Sequence, residues 1–138
     1  MDIFGWKGIP MSEVSLTQIA QISVNAADIP RAVAFYRDTL GIKLLFQTAQ
    51  MAFFDCSGIR LMISLPEKPE FSHPGSVIYY KVTDIQQSYK VLSNKGVDFL
   101  SKPHFVANMG SFDIWMAFFR DTEGNTLALT SEVPKGNE

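Results

Sequence analysis

Cysteine is nearly absent from this chain: Cys56 is the single thiol among 138 residues. One thiol cannot close an internal disulfide, so the expectation is a protein suited to a reducing, cytoplasmic setting. Charge of one sign is also lacking. Twelve Lys and Arg face fourteen Asp and Glu, a net charge of −2, which leaves no basic footprint for nucleic acid. No run approaches the roughly 18 apolar residues of a membrane span, so no membrane partner is expected. The first ten residues have no long apolar stretch and do not read as a signal peptide. Apolar residues make up 46% and charged residues 19%, enough apolar content for one folded core and too much for wholesale disorder.

The chain repeats itself. Residues 21–28, Gln-Ile-Ser-Val-Asn-Ala-Ala-Asp, alternate polar and apolar as a strand does. Asp28 then caps a helix with Pro30 in its first turn. Ile29, Ala32, Val33, Tyr36 and Leu40 recur at helical spacing, and Gly41 ends it. Shifted by 56 residues, residues 77–84 form a second strand ending in Asp84, followed by Ile85, Ser88, Tyr89, Leu92 and a stop at Gly96. Asp55-x-x-Gly58-x-x-Leu61-x-Ile63 and Asp121-x-x-Gly124-x-x-Leu127-x-Leu129 repeat at a shift of 66, both suited to a tight hairpin turn. The larger shift is assigned to a longer loop at residues 102–111. Short strands are expected at 43–47, 51–54, 97–100 and 115–119.

The fold class expected is therefore α+β. Two tandem β-α-β-β-β modules would form a concave, barrel-like eight-stranded mixed sheet with two helices outside. Residues 1–15 read as an N-terminal extension carrying Trp6, with Met11 an alternative start. Module one spans 16–66, a proline-bearing linker 67–75, module two 76–133, and a tail 134–138; together 16–133 make one domain.

Strand alternation sorts the side chains into two faces. Ile22, Val24, Leu61, Ile63, Ile78, Tyr80, Leu127 and Leu129 point to the helices. Gln21, Ser23, Arg60, Met62, Val77, Tyr79, Lys81 and Ala128 point the other way, into a mixed apolar and polar face of the kind that lines a small-molecule pocket. Tyr79, Arg60 and Lys81 suit an aromatic or anionic ligand. His104 reads as a loop residue, with His104 and Tyr79 the candidates for acid/base work. His73 reads as structural or exposed. Cys56 reads as a turn filler, since no activating base is visible beside it. Trp115, Phe118 and Phe119 read as core.

At this point the chain resembles the glyoxalase / bleomycin-resistance / dioxygenase superfamily, the vicinal oxygen chelate fold, over about residues 16–133. Residues 29–41, Ile-Pro-Arg-Ala-Val-Ala-Phe-Tyr-Arg-Asp-Thr-Leu-Gly, carry its Phe-Tyr and Leu-Gly signature. Residues 119–129, Phe-Arg-Asp-Thr-Glu-Gly-Asn-Thr-Leu-Ala-Leu, are close to its Asp-Pro-Asp-Gly-Asn turn. The stretch 103–119 looks like an uncharacterised glyoxalase-like subgroup. The resemblance implies four inward metal ligands, normally His, Glu or Gln. The matching positions here are Gln21, Met62, Val77 and Ala128. Only Gln21 carries a hard donor, so no metal or other cofactor is expected.

The resemblance then implies a glyoxalase-like small-molecule-binding protein of the bleomycin-resistance type, with the ligand in the cup between the modules. Arg60 and Lys81 argue against a cationic drug such as bleomycin itself. The alternative is a glyoxalase-like lyase or dioxygenase-type enzyme with a displaced metal on His104 and Gln21, or a metal-free acid/base site. A third reading is a regulatory module with a vestigial cup. A homodimer is expected in each case, because open sheet edges are a liability.

Overall fold

Asp28 and Asp84 start the two helices as the repeat requires. Asp28 accepts the Arg31 N–H at 2.9 Å and Asp84 the Gln87 N–H at 3.1 Å, each satisfying a donor that has no partner within its helix. The computed structural model describes residues 14–66 and 75–135. Trp6, Met11, His73 and linker residues 67–74 lie outside the described residues.

The first half runs β1 (Gln21–Asn25), α1 (Ile29–Val33), β2 (Lys43–Gln47), β3 (Met51–Cys56) and β4 (Ile59–Ser64). The second runs β5 (Ile78–Lys81), α2 (Ile85–Asn94), β6 (Asp98–Phe99), β7 (His104–Asn108), β8 (Phe112–Arg120) and β9 (Thr126–Pro134). After Val33 the first helix widens without a break into a π-helical segment, Ala34–Thr39. Its last turn closes from Leu40 N–H to Phe35 C=O at 2.9 Å, a five-residue step. The wider turns accompany burial of the adjacent Phe35 and Tyr36, where α-helical spacing predicts only Tyr36. The backbone leaves this helix through Gly41, at φ 77°, a conformation that glycine adopts without steric cost.

The strands divide into two mixed sheets rather than one barrel-like sheet of eight. One has the order β1-β4-β3-β2. The other has the order β5-β9-β8-β6, with β7 also paired to β8. In each sheet the opening strand pairs in parallel with the closing strand of its own half, and the remaining pairs are antiparallel. The expectation of a loop at 102–111 is corrected: most of it is β7 and the turn into β8. Phe105-Val106-Ala107 has strand composition. The turn is fixed by Gly110 N–H on Asn108 Oδ1 at 2.8 Å and Met109 N–H on Phe112 C=O at 2.9 Å. His104 is accordingly a strand residue.

The helix-facing side chains form one core drawn from both halves. Ile29, Ala32, Phe35, Tyr36, Ala52, Phe54, Leu61 and Ile63 share a cluster with Ile85, Ala117, Phe119, Leu127 and Leu129. Each large apolar side chain so buried contributes about 1.5–3 kcal/mol.

The halves are clasped at the β8–β9 turn. Asp121 is buried and accepts from Glu123 N–H and Asn125 N–H at 2.8 Å each, which shapes the turn. It also accepts the Tyr36 hydroxyl at 2.6 Å from the first half. Burial, then the Asp121 charge, push the Tyr36 hydroxyl pKa far up, so that group remains a donor. Asn125 donates its amide to Asn25 C=O at 2.9 Å.

Glu123 reaches furthest across. Its side chain has 0% exposure. Its carboxylate accepts Ala27 N–H at 2.8 Å and Asp28 N–H at 3.1 Å, with Arg31 Nε at 2.7 Å and Nη2 at 3.0 Å. Burial pushes its pKa up, but Arg31, the Ala27 and Asp28 amides and the Thr122 hydroxyl outweigh burial and hold the group down at about 2. The folded-state pKa is thus depressed from 4.5. The stability it contributes is whole above that value and is lost as pH falls through about 2. The difference corresponds to about 3 kcal/mol. Glu123→Gln is expected to lose stability of that order at neutral pH in urea unfolding. The gap between variant and wild type should close as pH falls from about 4.5 toward about 2; a gap independent of pH would contradict the clasp.

Candidate functional site

Each sheet turns one face to the helices and leaves the other open. On the open face of the first sheet, pairing sets Gln21 opposite Arg60, Ser23 opposite Met62, and Phe53 on the other side of Met62. These side chains meet. Arg60 Nε donates to Gln21 Oε1 at 2.6 Å, and the Gln21 amide N–H reaches Met62 Sδ at 3.8 Å. The Arg60 guanidinium lies over the Phe53 ring, 5.7 Å from its centroid. Phe53 stacks with Phe46 of β2 at 6.3 Å, and Phe46 is 57% exposed. Three residues singled out by strand alternation, Gln21, Arg60 and Met62, are therefore brought together beside Ser23, with two phenylalanines that alternation gave no reason to choose.

The second sheet carries a different surface. Ala128 lies between Tyr79 on β5 and Phe118 on β8 in the strand register. The two rings meet edge to face at 6.1 Å, while Ala128 has 0% exposure. Large side chains on flanking strands close over a small one between them. Phe118 therefore belongs to the open face and not to the core, whereas Phe119 is core and Trp115 packs against it. The His104 ring stacks on Phe118 at 6.1 Å. Tyr79, Phe118 and His104 thus form one aromatic strip, which β7 completes. Lys81 pairs with Glu132 at 3.7 Å with both side chains at least half exposed, an arrangement worth little in energy. Val77 immediately precedes β5.

Cys56 is poorly suited to nucleophilic work. Burial first, and the Asp55 charge second, push its thiol pKa up. Tyr80 has a buried hydroxyl without a hydrogen-bond partner among the described residues. Its pKa is likewise raised by burial, then by Cys56 and Asp121. A shallow groove along α2, lined by Asp84, Gln87, Tyr89 and Lys90 among others, belongs to the helix layer and includes none of the open-face residues.

The family model described as the Glyoxalase/Bleomycin resistance protein/Dioxygenase superfamily matches residues 18–129. The chain belongs to this superfamily. A glyoxylase-like domain-containing protein from Didymella fabae is 29% identical over 128 residues, spanning 86% of this chain and 96% of the relative. A superfamily member from Sphaerobacter thermophilus superposes with a TM-score of 0.72 at 22% identity, covering 85% of this chain and 98% of that one. A lactoylglutathione lyase from Agrobacterium tumefaciens gives 0.67 at 19% identity, covering 85% and 95%. At such identities the structural likeness establishes the fold and nothing finer.

The glyoxalase-superfamily fold implies a metal centre on the open face, and the residues at its positions do not fit one. Gln21 supplies an amide oxygen, Met62 a thioether, Val77 and Ala128 only hydrocarbon. Among the described residues no three His, Cys, Asp or Glu side chains gather as a metal site. The Gln21 oxygen already accepts from a guanidinium. A divalent ion there would face a fixed positive charge, at about 4 kcal/mol per unit charge at 4 Å and an effective dielectric of 20.

His104 has an assigned polarity. Its Nδ1 lies 2.8 Å from Lys102 C=O. A carbonyl only accepts, so the neutral ring carries its proton on Nδ1 and leaves Nε2 as an acceptor. Long-range ¹H–¹⁵N NMR is expected to find Nδ1 protonated and Nε2 bare in the neutral form. The opposite tautomer would remove this contact.

Proposed function

We propose that this chain is a metal-independent small-molecule-binding protein of the bleomycin-resistance type, holding its ligand on the open face between the two modules. One observation carries the reading: the single hard donor among the four family positions, Gln21 Oε1, is committed to Arg60 at 2.6 Å. Mixed apolar and polar lining with a few convergent polar groups suits a small organic ligand. Gln21, Ser23, Arg60 and Met62 would line one side; Val77, Tyr79 and Lys81 would line the other, with Ala128 beneath the aromatic strip.

Metal analysis of protein purified without chelator is expected to give substoichiometric zinc, nickel, iron and manganese, and chelator treatment to leave the melting temperature unchanged. A stoichiometric ion lost on Gln21→Ala would replace this reading with a metal-dependent one.

A second reading is metal-free acid/base catalysis. The bare Nε2 of His104 and the Tyr79 hydroxyl belong to side chains that both contact Phe118. Turnover of a glyoxalase-type substrate that survives chelation and falls on His104→Gln would favour it over simple binding.

The protein is further proposed to act as a homodimer. Leu45 and Phe46 on β2, and Phe105 and Val106 on β7, are 44–57% exposed, and apolar residues on sheet edges invite pairing. Light scattering at micromolar concentration is expected to return twice the chain mass; a monomer at all concentrations would exclude the dimer.

A further inference from the structure

We propose that Arg60 is an anion anchor and that the ligand of the open face is a small planar carboxylate with an aryl or other unsaturated body. The inference deepens the binding reading above and rests on it. It starts from what is left unused on one side chain. Gln21 Oε1 takes the Arg60 Nε–H at 2.6 Å, and the guanidinium carbon lies over the Phe53 ring, 5.7 Å from its centroid. Gln21 is itself steadied through its amide N–H on Met62 Sδ at 3.8 Å. These contacts orient the guanidinium plane.

The terminal Nη groups remain. Among the described residues neither donates a hydrogen bond, and no carboxylate lies within 4.0 Å of Arg60. Asp55 stands directly across the ladder from Arg60, yet its Oδ1 is turned to the Gly58 N–H at 3.0 Å. Lys81, on the second sheet, differs, because Glu132 already pairs with it. A guanidinium bonded through Nε presents its outer edge as a two-donor fork, whose spacing matches the two oxygens of a carboxylate.

The surroundings choose the rest of the ligand. Phe53 and Phe46 stack at an interplanar angle of 29° and form an aromatic surface that continues from Arg60 toward β2. An anion on the fork would lay its hydrocarbon body on that surface, where flat unsaturated groups pack well. The positive charge on this face is organic and built into β4. It selects oxyanions by direction as well as by charge, and it disfavours cationic ligands.

Benzoate and its neutral isostere benzamide are the probes. Both are titrated into the full chain at fixed ionic strength, with the Met62 methyl and the Arg60 Nε–H followed by NMR. Benzoate is expected to shift both resonances saturably and to bind about ten-fold or more tighter than benzamide, the size of a charge-assisted hydrogen-bond pair. Arg60→Gln should abolish that preference, so that benzoate binds no tighter than benzamide. Arg60→Lys should keep part of it, since charge persists without the fork. Arg60 is an exposed residue, so both variants should melt as the wild type does.

Equal binding of benzamide and benzoate would overturn the anion class and leave the small-molecule reading standing. Equal preference in Arg60→Gln would overturn the role of Arg60. No shift of either resonance by either probe would overturn the inference and count against the pocket. A stoichiometric metal on Gln21 would overturn the underlying reading whatever the probes do.

Discussion

Buried carboxylates at one turn hold this molecule together. Asp121 and Glu123 stand one residue apart in the β8–β9 turn. The first folds the turn on itself through Asn125 and takes the Tyr36 hydroxyl. The second leaves its own half and takes the backbone amides of Ala27 and Asp28, together with Arg31. Burying a carboxylate is costly unless donors replace its water. Here the donors come from the other half, so the two halves satisfy their polar groups only when docked. The core spanning both modules, and the position of the two open faces, follow from that docking.

The duplication was not kept symmetric. In the matching turn of the first half, Asp55 to Gly58, the aspartate accepts the Gly58 N–H, where Asp121 accepts from Glu123 and Asn125, and among the described residues no side chain of that turn reaches across as Glu123 does. The open faces diverge as well. The first sheet assembles a polar and cationic cluster from Gln21, Arg60 and Met62 over Phe53; the second assembles Tyr79, Phe118 and His104. One scaffold thus offers two unlike surfaces. A ligand touching both would be recognised by a directed charge at one end and aromatic packing at the other.

A metal centre needs several hard donors free to converge on one ion. At the family positions this chain supplies one, already hydrogen-bonded to a guanidinium. In the binding reading proposed above, Arg60 supplies a hydrogen-bonding cation where an ion would supply a Lewis acid. An ion polarises and can activate an oxygen, whereas a guanidinium orients and neutralises it.

Strand alternation, the two capping aspartates and the repeated Asp-x-x-Gly-x-x-Leu pattern were enough to give the module order and the two faces, because periodicity of 2 and 3.6 is local and written in adjacent residues. They also gave the membership of the first-sheet cluster, since neighbours on one face follow from register. Pro103 and the longer repeat shift point to a loop at His104, but the strand composition of Phe105-Val106-Ala107 prevails. Aromatic character points Phe118 to the core but does not reveal which face a strand residue occupies; its register with Ala128 does. No local pattern announces that Glu123 crosses to Arg31, that Gln21 bonds Arg60, or that two rings close over Ala128. Those are contacts between residues 39 to 92 positions apart or on separate strands, and they exist only once the sheets have chosen their partners.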